Sequence, residues 1–164
     1  MSSWRQQAVI EAPVERVWAY IGNPRRYPEW AGNVVSITGL ATVEPDAEFQ
    51  QVSQTPLGKA ETTFKIEQLE DLHAIKLRCQ QSGYYSRWVL TEAQSCTFAE
   101  VEIGIEPTAV QYRLLFGAMG KRYLRRLVEQ AIDGLRQGSN TETDGVVRQA
   151  EGLACGVEVF YTTI

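Results

Sequence analysis

The sequence predicts an α+β domain in which a seven-stranded antiparallel sheet packs on a long C-terminal helix, with two short helices between the first and second strands. Three observations carry this. The opening QQAVIEAPVERVWAYIGNPRRYPEW switches from strand alternation to a helical period at Ala12-Pro13 and ends in a loop that bears Trp30. Six further stretches between Val34 and Glu106 alternate apolar and polar residues and are joined by turn residues. Leu124, Leu127, Val128, Ala131 and Leu135 then recur at i, i+3, i+4, i+7 and i+11, the apolar stripe of a helix.

Taken in order, Val9 and Ile10 close the first strand. Pro13 suits the first turn of a helix, where its missing N–H would have no partner and its φ is already helical. Val14, Val17, Trp18 and Ile21 form one apolar face. Asn23-Pro24 stops that helix, because a residue before proline is pushed out of the α region. Arg25 to Trp30 makes a second short turn or helix. Strands are expected near Val34–Val43, Glu48–Thr55, Gly58–Leu69, His73–Ser82, Tyr84–Glu92 and Ser95–Glu106. Pro45-Asp46, Pro56-Leu57-Gly58 and Glu70-Asp71 punctuate them, so consecutive strands should pair as hairpins.

The alternation assigns faces. Ala99, Val101, Ile103 and Ile105 point one way while Glu100, Glu102 and Glu106 point the other. Ala60, Thr62, Phe64 and Ile66 likewise oppose Glu61, Lys65 and Glu67, and Ile75, Leu77 and Cys79 oppose Lys76, Arg78 and Gln80. A sheet with one wet face must bury the other, and the C-terminal helix is the apolar element left to cover it. Thr108 to Phe116 reads either as a first helical segment or as an extension of the last strand, with Gly117 and Gly120 marking a bend. Gly134 weakens the helix slightly and Gly138 is an end signal.

At 164 residues the chain can bury roughly two-thirds of its unfolded surface as one domain. No apolar run approaches the ~18 residues that span a bilayer, and Met1-Ser2-Ser3-Trp4 does not open a signal peptide, so a cytoplasmic protein without stable membrane insertion is expected. Cys79, Cys96 and Cys155 form no CxxC pair, and their odd number argues against a disulfide framework. A lone histidine, His73, makes a metal site of the imidazole and thiolate kind unexpected. The net charge of −4 gives no reason to expect a nucleic-acid partner. There is no GxSxG elbow, Gly-rich phosphate loop or HExxH, and no cofactor is expected.

The order of elements, with Ala12-Pro13, Val17-Trp18, Asn23-Pro24 and Tyr27-Pro28-Glu29-Trp30, resembles the START-like polyketide cyclase/dehydrase superfamily, whose helix-grip fold is shared with plant pathogenesis-related ligand carriers. The resemblance covers roughly residues 4 to 138 and stops short of the tail. It implies a cavity between the curved sheet and the long helix, with Tyr27 and Trp30 in the entrance loop. It also implies either ligand carriage or cyclase chemistry in which a preformed pocket holds a flexible chain in a reactive shape.

The residues themselves support a cavity. Gln51, Ser53, Thr62, Gln81 and Ser86 fall on the predicted inner face among Phe49, Phe64, Leu77, Trp88 and Leu90. Buried polar groups without partners cost ~1–3 kcal/mol each, so several on one inner face suggest water or a ligand, unless they sit at solvated strand ends. Val101, Ile103, Met119, Tyr123 and Leu127 complete the candidate lining. Trp18 reads as core, and Trp88 as core or cavity wall. The hydroxyls of Tyr84, Tyr85 and Tyr123 suit an apolar ligand that needs oriented hydrogen bonds. Lys121, Arg122, Arg125 and Arg126 read either as a solvated face or, through Arg122, as an anion contact at the mouth, with Arg25 and Arg26 adding the same sign.

Burying ~300 Å² of apolar ligand surface is worth on the order of 7 kcal/mol, so binding of a lipid, isoprenoid, polyketide or aromatic metabolite needs no catalytic group. Binding is therefore preferred over cyclase or dehydratase action, and a protein-interaction role through the acidic outer face is the third alternative. The tail, residues 139–164, reads as a polar linker and an apolar strand, docked on its own sheet or on a second copy in a homodimer.

Overall fold

The structure, a computed structural model, describes residues 2–56, 58–106 and 110–141. Strand β1 (Ser2–Ile10) leads into helix α1 (Val14–Ile21), a 3-10 turn (Pro24–Arg26) and the one-turn helix α2 (Tyr27–Trp30). Strands β2 (Val34–Thr38), β3 (Glu48–Thr55), β4 (Gly58–Glu70), β5 (Ala74–Cys79), β6 (Tyr84–Ala93) and β7 (Cys96–Ile105) follow, and α3 (Val110–Thr141) closes the order. The sheet runs β1-β7-β6-β5-β4-β3-β2, antiparallel at each pairing. The helical connection from β1 to β2 therefore crosses from one edge of the sheet to the other, and α2 reaches the place where α3 lies over the sheet. This is the helix-grip arrangement: seven antiparallel strands, a long C-terminal helix and short helices between strands 1 and 2.

The predicted faces hold in β7, where Ala99, Val101, Ile103 and Ile105 are buried while Glu100 and Glu102 are partly exposed. Val17, Ile21, Leu77, Leu90, Val101, Leu124, Val128 and Leu135 are fully buried between sheet and helices. Each such side chain contributes about 1.5–3 kcal/mol on burial, against about 1 kcal/mol lost at each of the glycines 117, 120, 134 and 138 within α3. Packing, not propensity, holds this helix.

Four local features differ from expectation. β2 stops at Thr38 rather than Val43, because Gly39 takes φ +77°, a left-handed conformation that leaves the strand. β5 stops at Cys79, before Ser82. α3 is one helix from Val110, with no break at Gly117 or Gly120, and it continues past Gly138 to Thr141. Gly138 sits against the Tyr20 ring, whose hydroxyl donates to the Gly138 carbonyl at 3.2 Å. Arg16 donates to the Ser139 carbonyl and Arg136 to that of Val9, so α1 and β1 grip this end of α3. Cys79 is a buried free thiol, whereas Cys96 is disulfide-bonded, so the odd count does not leave every cysteine free. No helix among the described residues is long and apolar enough to cross a membrane. The expected tail strand lies outside the described residues, which end at Thr141.

Candidate functional site

The site is built where α2 meets α3 over the sheet. Asn23 accepts from the Arg25 N–H at 3.2 Å and starts the turn, and Pro24 supplies its first helical φ. Arg25 donates to the carbonyls of Leu40 and Ala41 at 2.6 and 2.8 Å, which pins the turn to the loop after β2. Arg26 pairs with Glu29 at 2.9 Å and lies over the Tyr20 ring, 3.8 Å from its centroid. Both arginines are thus occupied in fixing α2, and neither faces an anion at a mouth. Arg122 is exposed on α3 and is not among the residues lining the cavity described below.

With the turn fixed, Tyr27 and Trp30 point inward, each 5 % exposed. They are buried wall rather than the open portal that the entrance-loop reading implied. Tyr27 donates its hydroxyl to the Ile21 carbonyl at 2.9 Å. Its ring meets Trp30 edge to face at 5.0 Å between centroids, and Trp30 meets Trp88 in the same way at 5.6 Å. Gly134 makes this possible: a Cβ there would overlap the Trp30 carbonyl oxygen. The glycine read as a weak point of the helix is the point of closest approach between α3 and α2.

Beneath these rings is a cavity of about 50 Å³. Of the residues singled out from the sequence, Tyr27, Trp30, Gln51 and Phe64 line it, as do Leu77, Ser86, Trp88, Ile103 and Leu127. Ala31, Asn33, Val34 and Ala131 were not singled out as lining, although Ala131 lies one turn beyond Leu127 on the same stripe and could have been. Tyr84 lines it too. None of the described lining side chains is Asp, Glu, Lys, Arg or His. Gln51 donates to Ser53 at 2.8 Å, whereas the Trp30 indole N–H is buried and has no acceptor among the described residues. Burial pushes the Tyr27 and Tyr84 hydroxyls well above the ordinary phenol range, so both stay protonated donors. The cavity can hold an apolar group and orient a few polar atoms; its described lining carries no carboxylate or imidazole for proton transfer.

The remaining candidates lie elsewhere. Gln81 is exposed, because β5 has already ended; its amide binds the backbone N–H and hydroxyl of Thr63. Phe49 stacks behind Phe64 at 5.8 Å, and Val101 is fully buried core. Thr62 is half-buried opposite Gln51 in the β3–β4 ladder, and Tyr123 is half-buried on α3; neither lines the cavity. Tyr85 points to the outer face, where its hydroxyl donates to Glu102 at 2.8 Å. The side chain of Met119 lies outside those described. Trp18 is partly buried against the core, as expected, and exposed His73 holds the Leu90 carbonyl at 3.1 Å.

Comparison with known proteins adds to this geometry. The sequence model of the family described as polyketide cyclase/dehydrase and lipid transport matches residues 1–139. No curated protein matches the sequence. Among solved structures, a START superfamily protein from Mycobacterium smegmatis superposes with a TM-score of 0.72 at 12 % identity, covering 87 % of this chain and 100 % of that one. The Zhui aromatase/cyclase from Streptomyces sp. R1128 gives 0.71 at 11 % identity over 88 % and 98 % of the two chains. A protein from Thermus thermophilus gives 0.69 at 18 % over 86 % and 99 %. At these identities the likeness is one of fold.

Proposed function

The chain belongs to the polyketide cyclase/dehydrase and lipid transport family, and from that premise we propose that it binds a hydrophobic small molecule between the sheet and α3, to carry, sequester or present it. The observation that supports this most is the lining itself: aromatic and aliphatic walls with uncharged polar groups and, among the described residues, no ionisable acid or base other than tyrosine. Ligand sites are usually about 300–1,000 Å³, far more than the cavity of about 50 Å³ found here. A ligand of that size is accommodated by movement of the side chains packed around Trp30, Trp88 among them.

Native mass spectrometry of freshly purified protein, followed by denaturing extraction, tests this. A co-purifying lipid or aromatic metabolite is the expected result. Protein that carries nothing and that binds no member of a panel of apolar fluorescent probes overturns it. The second reading, cyclisation by substrate positioning, draws on the likeness to a structure named as an aromatase/cyclase. Turnover of the extracted molecule, rather than its release unchanged, would favour that reading. The third, a protein contact through an acidic outer face, loses its main support, because Glu67, Glu100 and Glu102 are matched by Lys76, Arg78 and Arg5.

A further inference from the structure

We infer that the ligand is a neutral, ring-containing molecule bearing a carbonyl or ether oxygen, and that this oxygen accepts a hydrogen bond from the indole N–H of Trp30. The inference rests on the binding reading above and names the chemistry that the same site selects.

Trp30 lines the cavity, is 5 % exposed, and its Nε1 has no acceptor among the described residues. A buried donor left unpaired destabilises the empty protein, and a bound acceptor removes that penalty. Trp4 also has an indole N–H with no partner among the described residues, but it lies on edge strand β1 and does not line this cavity. Tyr27 and Gln51 have protein acceptors, the Ile21 carbonyl and Ser53, while the Tyr84 and Ser86 hydroxyls are further donors in the lining. The Trp30 backbone is held in place, since Gly134 lets α3 rest directly on it, and the Tyr27 ring braces the indole edge to face. A donor that need not be ordered on binding adds more to affinity.

Neutrality follows from what surrounds it. Among the described residues no lysine, arginine or histidine lines the cavity, so a buried carboxylate would find no counter-charge there. Arg25 and Arg26, the basic residues of the same turn, are engaged with the Leu40 and Ala41 carbonyls and with Glu29. The flat faces and edges of Trp88 and Phe64, with Leu77, Ile103 and Leu127, offer ring-shaped apolar contacts.

The test uses the full chain and three probes of similar size: 2-acetylnaphthalene, 2-ethylnaphthalene and 2-naphthoate, titrated by calorimetry. The ketone should bind about threefold to tenfold tighter than the hydrocarbon, the worth of one net hydrogen bond, and the carboxylate should bind weakest. In ¹H–¹⁵N spectra the ketone should move one indole cross-peak downfield, a peak that is missing from Trp30→Phe and that the hydrocarbon leaves in place. Trp30→Phe should bind ketone and hydrocarbon equally. Equal affinities in the wild-type protein with an unmoved indole peak overturn this inference and leave the binding reading standing, and tightest binding of 2-naphthoate overturns the neutrality it asserts. Binding of none of the three overturns the cavity reading itself. If Trp30→Phe does not fold, the wild-type spectrum decides alone.

Discussion

The two faces of one sheet use polar groups in opposite ways. On the outer face, Arg5 pairs with Glu102 at 2.7 Å, Gln7 donates to Glu100, Lys76 pairs with Glu67 at 2.8 Å, and Arg78 bridges Glu67 and Glu106. These groups satisfy one another within reach of water. On the inner face the described polar groups around the cavity are uncharged, and one of them, the Trp30 N–H, is buried with no partner among the described residues. Polar groups that only hold a fold find partners in it, because an unpaired buried one costs about 1–3 kcal/mol. The contrast marks the inner face as the place where something else is meant to complete the set.

Substitutions on the two faces should therefore differ in size and in what they change. Trp88→Ala removes a ring from the centre of the inner face, and such truncations cost about 3–5 kcal/mol. Urea unfolding should show that loss, together with tighter binding of bulky apolar probes in the enlarged space; a loss under about 1 kcal/mol would mean that Trp88 is loosely packed wall. Gly134→Ala comes next. Its methyl group must push α3 off the Trp30 carbonyl, and overpacking of this kind costs about 1–3 kcal/mol, which exceeds the helix-propensity gain of at most about 1 kcal/mol. The Trp30 indole resonance should shift as α2 moves. A more stable Gly134→Ala protein would break the claim that α3 locks the site.

On the outer face the effect should be smaller. Arg78→Ala loses two partly exposed carboxylate contacts, worth no more than about 1 kcal/mol together, and should leave probe affinity unchanged. A change in affinity equal to that of Trp88→Ala would show that the faces are coupled.

The same division separates what was legible in the sequence from what was not. Alternation with period two placed Ala99 and Val101 inside and Glu100 and Glu102 outside because sheet geometry enforces it residue by residue. It failed at Gln81, where the pattern ran on past the end of β5 and a turn sent the side chain to Thr63. Arg25 and Arg26 looked free because their partners, the Leu40 and Ala41 carbonyls and the Tyr20 ring, are set by loop packing that leaves no period. Gly134 looked like a helix defect because its reason is a contact with a residue far away in the chain. The cavity's small volume is likewise a product of how Trp30 and Trp88 interlock, which no spacing rule reports.

The faintest effect separates the faces by pH. Partial burial pushes Glu67 and Glu102 up, but hydrogen bonds from Lys76 and Arg78 to the first, and from Arg5 and Tyr85 to the second, outweigh it and hold both below the usual carboxylate range. Their contribution to stability is therefore full above the unfolded pKa, about 4.3, and fades as pH falls through the folded one. On the inner face burial raises Tyr27 and Tyr84, so those groups contribute fully below the unfolded pKa of about 10, and the contribution fades as pH rises beyond it. Tyr85, pushed up to about 12 by its own burial and by Glu102, adds to the alkaline loss from the outer side. Melting temperature measured from pH 3 to 11 should fall at both ends. Glu67→Gln with Glu102→Gln should flatten only the acid limb, and Tyr84→Phe only the alkaline one. If Tyr84→Phe flattened the acid limb, or the glutamine pair left it untouched, the acid sensitivity would belong to other carboxylates and the assignment of charge work to the outer face would fall.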